Sequence, residues 1–257
     1  MKSKINQLLR QWPNGTVATT SWLKTHGVSR QLTRRYTASG WLQSIGHGAF
    51  LRAGEPVVEW FGGVYALQTQ LNLTLHPGAG TALSLNGLGQ NLPLGDKAVV
   101  TLFSDRQERV PAWFTRHAWG APLAYHKPTL FGSSESAGFT EVKQGAFSIR
   151  MSAPERAILE LLYLATTNDA ITHAVELMSG LNTLRPQVLQ ALLENCRSIK
   201  VKRLFLWAAE SAGHEWFNRL TVARVKLGKG KRSLYRGGRF DTKYQITVPK
   251  QEDAAHV

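Results

Sequence analysis

Arg30, Gln31, Arg34 and Arg35 lie within six consecutive residues and suit one chemistry, the reading of base edges in duplex DNA. A guanidinium donates in pairs to guanine O6 and N7, and a Gln amide serves adenine N6 and N7. Residues 1–54 contain no Asp or Glu but eight Lys/Arg: Lys2, Lys4, Arg10, Lys24, Arg30, Arg34, Arg35 and Arg52. A one-signed surface needs a partner of opposite sign. Nucleic acid is the commonest, because basic groups placed at phosphates release condensed counterions. Two other constellations suggest chemistry of their own. Glu141-Val142-Lys143, with Asp105 or Asp96 upstream, has the form of a Mg²⁺ nuclease in which carboxylates hold the metal and Lys activates water. Such a triplet also arises by chance, and a cross-strand ion pair is its plain reading. Gly228-Lys-Gly230-Lys-Arg232 falls short of phosphate-loop spacing and opens no evident helix, so it reads as a basic loop meeting nucleic acid or an acidic partner. The eight His show no ligand spacing, so neither a metal nor a cofactor is expected, and no catalytic residue is assigned.

The elements that must position the basic cluster can be read from caps and periodicity. Ile5, Leu8, Leu9 and Trp12 share one face of a helix from Ser3 to Trp12. Thr19 or Thr20 caps a second helix through Trp22, Leu23 and Lys24, closed by Gly27. Ser29 is a good N-cap for a third helix over Arg30–Ala38, with Leu32 and Tyr36 facing inward. Helix, short Gly turn, helix is the helix-turn-helix signature, whose second helix enters the major groove. Trp41–Ile45 and Ala49–Arg52 flank a Gly46-His47-Gly48 tip and read as a hairpin wing, with His47 and Arg52 reaching phosphates. Trp41 and Tyr36 read as core residues.

Charge and composition bound the remainder. The chain has 257 residues and a formal charge of +14. Residues 1–54 contribute +8, and residues 219–250 hold ten basic groups against Asp241, or +9, which leaves −3 for the rest. Two basic surfaces are therefore expected. The single Cys196 excludes an internal disulfide and follows Leu192 and Leu193 as a small buried hydrophobe. No signal peptide opens the sequence and no apolar run suits a membrane span, which predicts a cytoplasmic protein.

The region beyond the wing alternates in type. Val57–Leu71 has helical spacing, and 82–85 forms a short helix ending at Asn86-Gly87. Strands are expected at 97–103, 123–125, 130–131, 139–142 and 147–151. Ser152-Ala-Pro-Glu155 reads as a capping box opening a helix through Leu164. Helices follow at 168–179, 186–196 and 198–212, and Tyr244–Pro249 alternates like an edge strand. The predicted class is α+β: an N-terminal winged helix-turn-helix, 1–54, followed by a larger mixed α/β domain, 55–257. Within the latter, 55–151 is strand-rich, 152–218 helical and 219–250 a basic segment.

The order of motifs resembles the AbiE-type abortive-infection antitoxins, the transcriptional-regulator partners of type IV toxin–antitoxin pairs. The matching stretches are Trp22-Leu23-Lys24, Ser29 to Tyr36, Ser39-Gly40-Trp41-Leu42, Gly48-Ala49-Phe50 with Arg52, Trp60 to Gln70, and His76 to Gly87. They continue at Leu102-Phe103, Pro111-Ala112-Trp113, Met151 to Leu162, and Leu227 to Pro249. The resemblance implies a winged helix that binds inverted repeats in its own promoter and represses the operon. It also implies a C-terminal domain that counteracts a nucleotidyltransferase-type toxin, without a stable complex being required. The implied DNA-reading residues are Ser29, Arg30, Gln31, Thr33, Arg34, Arg35 and Tyr36, with His47 and Arg52 in the wing. By position, the implied antitoxic face is Lys200, Lys202, Arg203, Arg224, Lys226, Lys229, Lys231, Arg232, Arg236, Arg239 and Lys243. A monomer or weak dimer, with two copies meeting on DNA, is expected, and no membrane partner. Two other classes compete: a DNA-targeted metal-dependent nuclease with a winged-helix reader, and a plain repressor with a ligand-sensing C-terminal domain. The plain reading of Lys200, Lys202 and Arg203 is the solvated side of an amphipathic helix.

Overall fold

The computed structural model describes residues 4–55, 57–89, 99–132 and 137–250. The chain forms two compact units: Met1–Pro77 with Pro93–Lys127 and Glu141–Met151, and Gly78–Leu92 with Pro128–Thr140 and Ser152–Val257.

The first unit begins with α1 (Lys4–Gln11), β1 (Ala18–Thr19), α2 (Thr20–Thr25), α3 (Arg30–Ala38), β2 (Leu42–Gly46) and β3 (Ala49–Arg52). Thr19 caps α2 by accepting from the Trp22 N–H, and Ser29 caps α3 by accepting from the Leu32 N–H. Gly27 takes φ +75° between the helices, where an added Cβ would meet nothing, so backbone conformation alone demands glycine. The three strands pair antiparallel in the order β1-β3-β2, which is winged-helix topology. Ile5, Leu8, Trp12, Ala18, Leu23, Val28 and Leu42 form its core.

The compact unit does not end at Gly54. The helix α4 (Trp60–Gln70) is hydrogen-bonded to the strand that opens the winged helix: the Gln70 carboxamide accepts from the Thr19 N–H at 2.8 Å and donates to the Val17 carbonyl at 2.8 Å. A Cβ on Gly62 would stand 2.0 Å from the Gly15 carbonyl oxygen, so only glycine permits the approach. The chain continues through β4 (His76–Pro77), α5 (Ala79–Leu85), β5 (Val100–Phe103), α6 (Ala112–Arg116) and β6 (Leu123–His126). In the first unit β4, β5 and β6 form one sheet, antiparallel between β4 and β5 and parallel between β5 and β6. The strand expected at 130–131 is absent; Leu130 is a buried loop residue whose carbonyl accepts from the Arg197 N–H.

Next come the two-stranded β7 (Phe139–Gln144) and β8 (Phe147–Ser152), then α7 (Pro154–Leu164), α8 (Asn168–Ser179), α9 (Pro186–Asn195) and α10 (Ile199–Ser211). An antiparallel pair, β9 (Arg239–Asp241) and β10 (Ile246–Val248), follows. The second unit's core gathers α5 and α7 to α10 with Tyr244, Ile246 and Val248. The capping box at 152–155 does not form. Glu155 is drawn instead to the exposed Arg185 (2.9 Å), and the Ser152 hydroxyl donates to Glu160 (2.8 Å), which also accepts from the buried Arg156. Among the described residues no helix is long and apolar enough to cross a membrane.

Candidate nucleic-acid interface

Helix α3 presents Arg30, Gln31, Arg34 and Arg35 to solvent, and Ser29 opens it. Arg30 and Arg34 are four residues apart and share a face. Among the described residues none of these arginines, nor Lys24 on α2, forms an ion pair; the first carboxylate along the chain, Glu55, pairs with Arg52 at 3.4 Å. Two expected readers turn away. Thr33 is the buried residue of α3, 5% exposed, and its hydroxyl donates to the Ser29 carbonyl at 3.0 Å. Tyr36 is half-buried and packs against the winged-helix core. The Ser29 Oγ is occupied in part by its cap.

The wing divides in the same manner. His47 is exposed at the tip between Gly46 and Gly48, both at positive φ. Arg52 is not a wing-tip group. Its guanidinium donates to Asn14 Oδ1 at 2.7 Å and to the carbonyls of Leu9 and Trp12, and lies over the Trp12 ring. It thereby caps the C-terminal end of α1, where free carbonyls favour a cation. Arg52→Ala is therefore expected to lower stability by about 1–3 kcal/mol, through carbonyls left without donors. The salt slope of DNA binding should stay unchanged. Denaturant titration beside salt-dependent binding checks this, and a flattened slope with intact stability would restore a phosphate role.

Trp41 is 48% exposed rather than core. It lies in the bend just before β2, whose first residue, Leu42, is buried. It stands at the end of α3, its N–H bonded to the Tyr36 carbonyl.

In the second unit the structure separates the basic residues into two kinds. Lys202 and Arg203 are each 3% exposed, so they belong neither to an open antitoxic face nor to a solvated helix side. Lys200 is half-buried, and its ammonium donates to the Ala165 carbonyl and, at 3.4 Å, to that of Tyr163, capping the end of α7. Burial pushes its pKa below the usual lysine value. Arg224 and Lys243 are exposed but paired, with Glu194 (2.9 Å) and Glu210. Lys226, Lys229, Lys231, Arg232, Arg236 and Arg239 are exposed, and among the described residues none has a carboxylate partner.

The nuclease constellation is not assembled among the described residues. Glu141 and Lys143 are exposed on β7, and the Asp105 carboxylate accepts from the Gln107 N–H in its own loop. Asp96 lies outside the described residues. Among those described, no three His, Cys, Asp or Glu side chains gather as a metal site. Cys196 is buried as expected, which raises its thiol to about 11.

The site is thus an exposed helix without acidic residues in a winged-helix frame, accompanied by a second compact α+β unit. The chain is matched end to end by two family models, one described as transcriptional regulator, AbiEi antitoxin N-terminal domain, over residues 1–94, and one as transcriptional regulator, AbiEi antitoxin, type IV TA system, over residues 97–249. It belongs to the AbiEi antitoxin family of type IV toxin–antitoxin systems. The crystal structure of the RV2827C protein from Mycobacterium tuberculosis is similar at a TM-score of 0.59 and 14% identity, over 95% of this chain and 89% of that one. At that identity the likeness bears on the fold. A comparison with curated proteins returned no match.

Proposed function

We propose that this antitoxin represses its own operon by docking α3 in the major groove of inverted repeats in its promoter. Its second unit would counteract a nucleotidyltransferase-type toxin. The observation that carries the DNA half is the solvent-facing row Arg30, Gln31, Arg34 and Arg35, whose arginines form no ion pair among the described residues. Repression of this kind operates in the cytoplasm and needs no metal, cofactor or catalytic group. The winged helix implies two copies on DNA, with half-site centres about 34 Å or a multiple apart. Support for the toxin half comes from family membership and from six cations of the second unit that pair with no carboxylate among the described residues.

Arg30→Ala or Arg34→Ala should each weaken operator binding by about 1–3 kcal/mol if the side chain reads a base. A side chain that touches only phosphate would instead weaken all duplexes alike and flatten the salt slope by about 1. Competition binding of the upstream intergenic region against random duplex decides between them. Unaltered preference in both variants would overturn the recognition-helix assignment.

A further inference from the structure

The Lys226–Arg232 loop is shaped by a buried cation. Arg203, on α10, sends Nε to the Leu227 carbonyl at 2.8 Å, Nη1 to Gly230 at 2.6 Å and to Gln245 at 3.1 Å, and Nη2 to Gly228 at 3.1 Å. Among the described residues its acceptors are all backbone carbonyl oxygens. Turning the loop's carbonyls inward leaves its amide N–H groups facing the other way, and among the described residues the amides of Lys226 to Lys231 donate to no protein acceptor. Gly228 and Gly230 take φ +67° and +80°, while Lys229 between them is not left-handed. Alternating handedness of this kind aims successive N–H groups into one concavity, the backbone nest that holds anions. Lys226, Lys229, Lys231 and Arg232 lie in or beside it along the chain, all exposed. Burial first, and the charge of Arg232 second, push the Arg203 guanidinium below its ordinary value. Among the described residues no carboxylate pairs with Lys226, Lys229, Lys231 or Arg232.

We propose that this loop is a phosphate-binding nest that grips the phosphodiester backbone of a nucleic acid, blind to sequence and independent of the winged helix. Closely spaced basic residues beside a one-phosphate nest match a chain in which phosphates recur at regular spacing, with each lysine serving as a point charge for one phosphate. The inference goes beyond promoter reading and stands without it.

The test uses full-length protein and a mixed-sequence single-stranded RNA, a probe that a duplex reader does not favour. The triple change Lys229→Ala, Lys231→Ala, Arg232→Ala should flatten the salt slope by about 2, at roughly 0.7 per lost phosphate contact. It should leave preference for the operator intact. Arg30→Ala with Arg34→Ala should do the reverse, so failure of either assignment is visible without the other. Gly230 has open space for a methyl group, so Gly230→Ala strains only the backbone. That variant should weaken RNA binding several-fold, whereas Gly230→Asn, whose residue tolerates positive φ, should not. RNA binding that survives the triple change, or falls equally in the α3 variant, would overturn the proposal. So would full displacement of RNA by millimolar inorganic phosphate, which would mark a free-phosphate site.

Discussion

Arg203→Met is expected to cost about 3 kcal/mol or more in unfolding free energy, because several carbonyls lose their donor at once. The guanidinium bonds Leu227, Gly228, Gly230 and Gln245, and the last of these belongs to the turn that leads into β10. Methionine fills much of the space but donates nothing. Water can reach the exposed glycines and recover part of the loss, which keeps the figure near the low end of the summed penalties. Arg203→Lys should recover little, since one ammonium cannot span carbonyls on both sides of a loop. By contrast, the triple alanine change at Lys229, Lys231 and Arg232 should stay within about 0.5 kcal/mol of the parent, as exposed substitutions do. Denaturant midpoints at constant slope measure both. A shift below about 1 kcal/mol for Arg203→Met would mean that the loop is held by something other than this residue.

Glu160→Ala should be at least as damaging, at about 3–5 kcal/mol, because it leaves a cation buried without its counter-charge. The carboxylate is 1% exposed and accepts from the Ser152 hydroxyl (2.8 Å), the Ala79 N–H (3.1 Å) and Arg156 Nε (3.1 Å). Arg156 in turn lies over the rings of Phe131 and Phe139, at 4.4 and 4.2 Å, and bonds the Ala137 carbonyl. One acid therefore ties together the start of α5, the end of β8 and the first turns of α7. The double change Arg156→Leu, Glu160→Leu should be milder than Glu160→Ala alone, because a matched apolar pair replaces a stranded charge. A double-mutant cycle checks this; additive losses from the two single changes would show that the pair is not coupled.

The elements at the front of the chain were legible because each boundary carries a local chemical mark. Thr19 and Ser29 cap, Gly27 turns, and Gly46-His47-Gly48 reverses the chain, so α2, α3 and the wing were placed close to where they stand. What escaped was which way long side chains point when a distant partner calls them. Arg52 reads as a wing phosphate contact until Leu9, Trp12 and Asn14, some forty residues earlier, claim it. Lys200, Lys202 and Arg203 look like a solvated stripe because charge implies exposure, yet carbonyls at the end of α7 and in the 227–230 loop accept Lys200 and Arg203 from the protein side. The four-residue spacing placed Leu32 and Tyr36 inward but could not rank Thr33 against Arg35, since a nine-residue helix leaves its inward face defined by only two or three positions. The capping box failed for a similar reason: its glutamate had a stronger suitor in Arg185.

The bonds from the Gln70 carboxamide to Val17 and Thr19, and the close seat of Gly62 on Gly15, bear on how such proteins can be rearranged. A transplant of the DNA-reading module that stops at Gly54 would strip the opening strand of donors and acceptors that α4 supplies, and would bare the Gly15 backbone. Chimeric regulators should therefore be cut no earlier than the end of that helix, and lineages that exchanged readers by recombination should show their seams there too.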